Sequence, residues 1–384
     1  MGATRLSMRD DEAMAAAIEA AHEARRRVAP WPHVGAAVVR DGELIGVGTT
    51  GAFPDGPHAE VVALRAAGAA ARGSTVFTTL EPCNHHGNTP PCTEALIDAG
   101  VARVVTALED PDPKVSGTGF ARLRARGMDV SVGVGANLAA EQLHAYLLHR
   151  RTGRSSCVVK VATSIDGRIA AADGSSRWIT GAAARADAHG LRADSQAIVV
   201  GAGTALADDP ALTVRDASGP EIVRQPLRVL LDARGRVAPS GHLADPSLAP
   251  TLVVVTDRVA PSFVDAWRAV GAQVECVDFV AGPRGSGVDL HAVFALLGAR
   301  GVLQTMVEGG AHLHGALFDA ALVDRLVVYV GNTMLGRDGL TAFGVAGPPS
   351  IADAPRFRLR HVQPLGDDVR LDYAPREEGR CSPE

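Results

Sequence analysis

The chain has 384 residues, 46% of them hydrophobic and 21% charged, which excludes a disordered or fibrous protein and leaves room for two domain cores. A net charge of -5 and a pI near 6.2 argue against a broad electrostatic grip on nucleic acid or an anionic membrane. No run of about 18 apolar residues offers a membrane span. The stretch MGATRLSMRDDEAMAAAIEA carries acids where a signal peptide carries its apolar segment, and five cysteines in so long a chain make no disulfide framework, so the expectation is a cytoplasmic protein.

In chain order, residues 10–29 read as an amphipathic, Ala-rich helix that stops before Pro30 and Pro32. Gly35–Val39 and Glu43–Val47, split by Asp41-Gly42, read as a β-hairpin. A helix from Ala59 to Ala71, a strand at Ser74–Thr79, a loop over Glu81–Pro91, a helix at Cys92–Ala99 and a strand at Val101–Ala107 follow. This alternation implies an α/β layer with helices on both faces. The polar stretch Arg151–Ser156 is the expected boundary. Beyond it, short apolar strands at Val158–Ala162, Ala197–Val200, Leu227–Leu231, Thr251–Val255, Gln273–Val277, Gly301–Val307 and Arg325–Val330 alternate with helical stretches, the pattern of a second, largely parallel sheet. Segments 216–226 and 281–288 read as loops, and 375–384 as a polar tail.

The strongest chemical signal is His58-Ala59-Glu60, then Glu81-Pro82-Cys83 and Cys92. A structural zinc site closes itself with four protein ligands, whereas one imidazole and two thiolates leave the fourth position to water. Zinc lowers the pKa of that water towards neutrality. Glu60, two residues after His58, is placed to take its proton and pass it to a ring nitrogen and the leaving ammonia. Zinc nucleobase deaminases carry H-x-E followed by P-C-x-x-C, whereas here eight residues separate the cysteines, so the match is to the chemistry with a longer ligand loop. Cys92 stands at a helix start, where the dipole favours thiolate. His85 and His86 fall between the cysteines and read as loop or pocket residues rather than ligands.

In the second half, Gly201-Ala202-Gly203-Thr204 follows a strand but lacks the third glycine of a dinucleotide fingerprint. Val307-Glu308-Gly309-Gly310-Ala311 is the stronger turn, because two glycines let the backbone approach a pyrophosphate at the start of the helix His312–Phe318. Lys160, Asp166, Arg192, Asp208, Asp209 and Arg215 lie at strand ends and loops, and a guanidinium at 192 or 215 suits a phosphate.

Taken together, HAEVVAL (58–64), TTLEPCNHHGNTPPCTEALIDAGVARVV (78–105), DPDPKVSGTGF (110–120), KVATSIDGRIA (160–170), WIT (178–180), LRADSQAIVVGAGTALADDPALTVR (191–215) and VEGGAHLHGALFDAALVD (307–324) resemble the bifunctional riboflavin-biosynthesis deaminase–reductase family over roughly residues 10 to 372. The resemblance implies an α/β protein with an N-terminal cytidine-deaminase-like α/β/α domain over 1–150 and a C-terminal dihydrofolate-reductase-like α/β domain over 155–374. It implies deamination of a phosphoribosylated diaminopyrimidinone, then reduction of the ribosyl side chain to ribityl by NADPH. His58, Cys83 and Cys92 are the expected ligands of one zinc ion per deaminase domain, and Glu60 the proton shuttle. Ser176, Arg192, Leu212, Arg215 and Glu308 fall at substrate positions. Ala162, Trp178, Thr204, Asp208, Ala233 and the run Gly310, Ala311, His312, Leu313, His314, Gly315, Ala316 fall at NADPH positions. The implied partners are the small-molecule substrate and further copies of the chain, a homo-oligomer through the reductase domains, with no nucleic acid or membrane.

Four departures stand out. Pro30-Trp31-Pro32 replaces the family's Pro-Asn-Pro, Gly48-Thr49-Thr50 its Gly-x-His, and Asn88 a basic residue before Thr-Pro-Pro-Cys. In the reductase, Gly331-Asn332-Thr333 stands where an alanine-proline is usual. The first three touch the expected deaminase pocket. They leave two other readings open: a paralogue whose deaminase takes another aminopyrimidine or is inactive, and a zinc-stabilised scaffold without catalysis.

Overall fold

Asp10–Ala24 forms α1, with Asp10, Asp11 and Glu12 at its positive end and Ala13, Met14, Ala17, Ala21 and Ala24 as its buried stripe. The computed structural model describes residues 8–376 apart from 88, 216–223, 283–284 and 345–346. Asn88, the loop to 223, Cys381 and the tail beyond 376 therefore lie outside the described residues. The helix ends five residues earlier than its periodicity predicts. Arg25 closes on the His22 carbonyl through its backbone N–H (3.4 Å) and its Nη1 (2.9 Å), and the chain turns to bury Val28.

The hairpin forms as read. β1 (Gly35–Arg40) and β2 (Glu43–Thr49) are joined through Asp41 and Gly42, both at positive φ, the twist-matched two-residue turn. α2 (Ala59–Ala67), β3 (Thr75–Thr78), α3 (Cys92–Ala99) and β4 (Arg103–Thr106) follow, then α4 (Thr118–Ala125), β5 (Asp129–Val132), α5 (Ala136–Gln142) and α6 (His144–Thr152). The sheet runs β2-β1-β3-β4-β5, antiparallel through β3 and parallel beyond it. α1 packs on one face, around Ala37, Val39, Phe77 and Val105. α2 lies on the other and approaches so closely that a Cβ at Gly48 would stand 2.3 Å from the Ala59 carbonyl. That contact seats the start of α2 on the sheet.

The first unit ends at Gly153 and the second begins at Arg154. The second unit opens with β6 (Ser156–Thr163), β7 (Arg168–Ala170), α7 (Ala182–Ala193), β8 (Ala197–Gly201), α8 (Ala202–Asp208), β9 (Leu227–Leu231), β10 (Thr251–Val255), α9 (Pro261–Ala269) and β11 (Gln273–Cys276). It continues with β12 (Phe279–Gly282), β13 (Gly285–Val288), α10 (Leu290–Ala299), β14 (Gln304–Val307), α11 (Ala311–Asp319), β15 (Arg325–Val330), β16 (Leu340–Thr341), β17 (Phe357–Leu365) and β18 (Asp368–Pro375). The main sheet is β11-β10-β9-β8-β14-β6-β15-β18-β17, parallel through β15. Both faces are buried, which explains the continuous apolar strands: Val199 and Val229 face α10 and α11, while Ile198 and Leu230 face α9.

Two expectations are corrected. Residues 281–282 and 285–288, read as part of a loop, are paired in β12 and β13. The sheet also closes with an antiparallel pair, β17 and β18, that the reading of strands missed. β17 is mostly exposed along its length, and the alternation that opens it, Phe357-Arg358-Leu359-Arg360, breaks at the shift in register after Leu359.

Candidate active sites

In the first unit, the chain enters α2 at His58, whose extended backbone makes it the N-cap, and Glu60 follows in the first turn. Cys83 stands in the loop after β3, and Cys92 is the first residue of α3. The His58 Nδ1 is 3.0 Å from the Cys92 Sγ and 3.5 Å from the Cys83 Sγ, and the three ligand atoms lie within 4.8 Å of one another. One nitrogen and two sulfurs so grouped fit zinc with a coordination position left over. His85 and His86 are exposed and outside this group.

The two sulfurs are not equivalent. The N–H of Cys92, at the start of α3, donates to the Cys83 Sγ at 3.3 Å. That bond, the Cys92 thiol and His58 together lower the Cys83 thiol to about 4, the Cys92 thiol contributing most. The Cys92 thiol is raised, by its bond to Cys83 and by burial. The N–H at the start of α3 thus reaches the Cys83 sulfur across the loop, a contact that the position of Cys92 in sequence does not reveal. Glu60 is 3% exposed, and burial raises its carboxyl while the His58 charge opposes the shift. The remaining ring nitrogen of His58, Nε2, meets the Thr89 Oγ1 at 3.2 Å.

Glu81 turns away from this group. Its carboxylate accepts N–H bonds from Gly119 (2.9 Å), Gly117 (3.0 Å) and Asp110 (3.4 Å), tying the ligand loop to the segment 110–119. Asp110 in turn accepts from the Tyr146 hydroxyl at 3.0 Å. Sequence reading grouped Glu81 with the metal motif but had no signal for these partners. Of the departures, Thr50 is buried and occupied with backbone, its Oγ1 accepting the Val34 N–H at 3.0 Å. Trp31 lies edge-on to His58, ring centres 5.9 Å apart.

In the second unit the chain steps outward from β6 to β8, β9, β10 and β11, then returns to insert β14 between β8 and β6. Ligands of open α/β sheets bind outside the carboxyl ends of the strands at such a reversal. The turns Gly201–Thr204 and Glu308–Ala311 sit there side by side, the Thr204 Oγ1 3.7 Å from where a Gly310 side chain would begin.

Arg192, on α7, grips Glu308 through Nε and Nη2 (the latter 2.8 Å) and the Thr213 carbonyl through Nη1 (2.9 Å). Three of its donors are thus committed inside the protein. Burial alone would raise Glu308, but the charges of Arg192 and Lys160 hold it at about 2. Lys160 is itself pulled down by burial, with Glu308 opposing. Leu212 is a core side chain at positive φ, and Arg215 is exposed, its N–H donating to the His189 Nδ1 at 3.1 Å. Ser176 and Ala162 are half-buried.

Of the expected NADPH positions, Trp178 is 69% exposed beneath the Arg185 guanidinium (4.3 Å), and Asp208 is exposed. The Ala233 carbonyl accepts from the Thr256 hydroxyl at 2.7 Å. Gly310 is the N-cap of α11; Ala311 and Leu313 are half-buried, and His312 and Ala316 are exposed. His314 and Gly315 face inward, with the His314 Nδ1 on the Ala342 carbonyl at 3.1 Å. The helix start is the part of this run suited to a phosphate. Asp166 is a staple, accepting from Ser164 Oγ (2.6 Å) and the N–H groups of Leu335 (3.1 Å) and Gly336 (2.7 Å). Gly331, in the fourth departure, donates its N–H to the Thr163 carbonyl at 2.7 Å.

Comparisons with known proteins match both halves of the chain. The family described as cytidine and deoxycytidylate deaminase zinc-binding region matches residues 7–108, and the RibD C-terminal domain family matches 156–371. The chain is 40% identical to the riboflavin biosynthesis protein RibD of Escherichia coli (strain K12), covering 95% of this chain and 99% of that one. It is 40% identical to the protein of the same name from Chlamydia pneumoniae, covering 93% of each. The solved structure of Acinetobacter baumannii RibD, form 1, superposes with a TM-score of 0.85 at 37% identity, over 96% of this chain and 99% of that one.

Proposed function

Because this chain belongs to the bifunctional deaminase–reductase family of riboflavin biosynthesis, we propose that both of its sites act, in turn, on a phosphoribosylated aminopyrimidine. It is a zinc-dependent deaminase fused to an NADPH-dependent oxidoreductase. We assign the first reaction to residues 1–150 and the second to 155–374. The observation that carries the reading is the convergence of His58, Cys83 and Cys92, with a buried Glu60 two residues along from His58 in the first turn of α2.

His58, Cys83 and Cys92 would hold zinc, which when bound would activate a water for attack. Glu60 would take one proton from the water and give it to the ring nitrogen, then carry a second, from the hydroxyl added to the ring carbon, to the departing amine, which leaves as ammonia; burial raises its proton affinity for both transfers. Thr89 orients the His58 ring. In the reductase, NADPH supplies the hydride, and the chain's contribution is alignment. Glu308, fixed as a carboxylate by Arg192, takes substrate hydroxyls, Ser176 and Arg215 serve its phosphate, and the turns at Thr204 and Gly310 hold the dinucleotide. The enzyme works in the cytoplasm as a homo-oligomer joined through its reductase domains. Among the described residues no helix is long and apolar enough to cross a membrane.

The test uses zinc-loaded protein and the diaminopyrimidinone substrate, following ammonia release and then NADPH oxidation. Glu60→Gln should abolish the first signal with zinc retained, and leave NADPH oxidation on preformed aminouracil substrate intact. Ammonia release undiminished in Glu60→Gln would overturn the assignment. Trp31, edge-on to His58, supports a second reading, a deaminase retuned to another aminopyrimidine. It predicts NADPH oxidation on the preformed substrate without ammonia release from the riboflavin precursor.

A further inference from the structure

The wall of the deaminase site beside His58 is aromatic. Trp31 meets His58 edge-on, planes at 72°, and meets Phe53 edge-on with ring centres 5.1 Å apart and planes at 85°. Neither ring is core: Trp31 is half-buried and Phe53 is 40% exposed. Single exposed apolar side chains need no explanation, but two aromatic rings in contact beside a metal ligand do.

Their backbones are tied down on both sides. The Trp31 N–H donates to the Val28 carbonyl at 2.8 Å, and the Phe53 N–H reaches the Arg27 carbonyl at 3.2 Å. The loop carrying Phe53 closes on itself through Gly51 N–H to Pro57 O and Gly56 N–H to Ala52 O, both 2.8 Å, and runs straight into His58. At its other end Thr50 clasps Val34, donating its N–H to the Val34 carbonyl (3.0 Å) and accepting the Val34 N–H on Oγ1 (3.0 Å). The rings are thus held in place ahead of any ligand, which lowers the ordering cost of binding one.

An indole offers one N–H donor and no acceptor, so it cannot read the donor–acceptor pattern of a base edge. It offers a π face instead, to which any planar heteroaromatic ring is attracted. We propose that Trp31, buttressed by Phe53, is the surface on which the pyrimidine ring of the deaminase substrate stacks, with its amine-bearing carbon at the His58–Cys83–Cys92 centre. The inference rests on the deaminase assignment above. Its consequence is that this side of the pocket selects for a flat aminopyrimidine by shape and tolerates changes in the ring's hydrogen-bonding groups.

The experiment measures ammonia release, without NADPH, by zinc-loaded full-length protein. Trp31→Ala should raise KM roughly 5- to 150-fold, the span of base–aromatic stacking losses, with kcat within about threefold. Trp31→Phe keeps a π face and should recover most of that loss; Phe53→Ala should show a smaller rise. Substrate should quench tryptophan fluorescence in the unmodified protein, with a component missing from Trp31→Phe. Zinc content equal across the variants excludes loss of the metal site. An unchanged KM in Trp31→Ala, or a fall in kcat at constant KM, would overturn the proposal while leaving the deaminase standing. No ammonia release from the unmodified protein would overturn the deaminase reading itself.

Discussion

The Glu81 carboxylate accepts the Gly119 N–H at 2.9 Å, and a Cβ on Gly119 would lie 2.1 Å from the Pro82 carbonyl oxygen. The ligand loop and the segment 110–119 are therefore in contact at a place where no side chain fits at position 119. Glu81→Gln puts an amide nitrogen against backbone N–H groups, and leaving such a group unsatisfied costs about 1–3 kcal/mol. Both Glu81→Gln and Gly119→Ala should lower the melting temperature of the deaminase unit and speed zinc loss to a chelator. Zinc retention matching the unmodified protein in both variants would show that this contact does not hold the loop.

Thr89 is the partner of the zinc-ligand histidine. Groups that orient a ligating imidazole typically contribute 10- to 100-fold to metal affinity. Thr89→Val should lose about that much zinc affinity in a chelator competition, and Thr89→Ser should restore it. A valine variant that binds zinc as tightly as threonine would remove Thr89 from this role.

Glu308 is held at about 2, below the ordinary glutamate value of 4.5, by Arg192 and Lys160 against the effect of burial. A depressed carboxylate contributes stability that is present above its unfolded pKa and is lost as pH falls through the folded one. The reductase unit should thus lose stability between about pH 5 and pH 2. Arg192→Met strands a buried charge and should cost about 3–5 kcal/mol at neutral pH. The gap between variant and unmodified protein should narrow on acidification, as Glu308 takes a proton. Denaturant titrations at two pH values that give the same gap would rule the pair out as the cause.

Arg228 is a buried charge in β9 whose guanidinium donates to the carbonyls of His242 (2.6 Å), Ala249 (2.6 Å) and Asp245 (2.8 Å). It organises the irregular segment 242–249 without touching either site. Arg228→Leu leaves these acceptors without their donor and should destabilise the reductase unit by at least about 3 kcal/mol. The deaminase transition should be unmoved. A melting curve that shifts both transitions equally would contradict so local a role.

The family, the α/β class, the His58, Cys83 and Cys92 grouping and most strands were legible along the chain. Each of those signals lies within a few contiguous residues: His58-Ala59-Glu60 at a helix start, Asp41-Gly42 between alternating runs, a glycine pair after an apolar strand. Only the tertiary structure decided which groups these residues meet. Cys83 rather than Cys92 receives the helix terminus, because the first free N–H of α3 points back across the loop. Arg192 reads as a substrate residue from its neighbours in sequence, but its partner Glu308, 116 residues away, is visible only in the fold. Thr50 reads as a pocket residue until the Val34 backbone takes its hydroxyl. β17 escaped notice because an exposed edge strand lacks the one-sided burial that writes a sustained period into sequence, whereas β18 does carry an alternation, Val369, Leu371 and Tyr373, that the reading of strands passed over. Local order is encoded in neighbouring residues, whereas the partner of a charge or hydroxyl is chosen by packing, which brings together residues that no window contains.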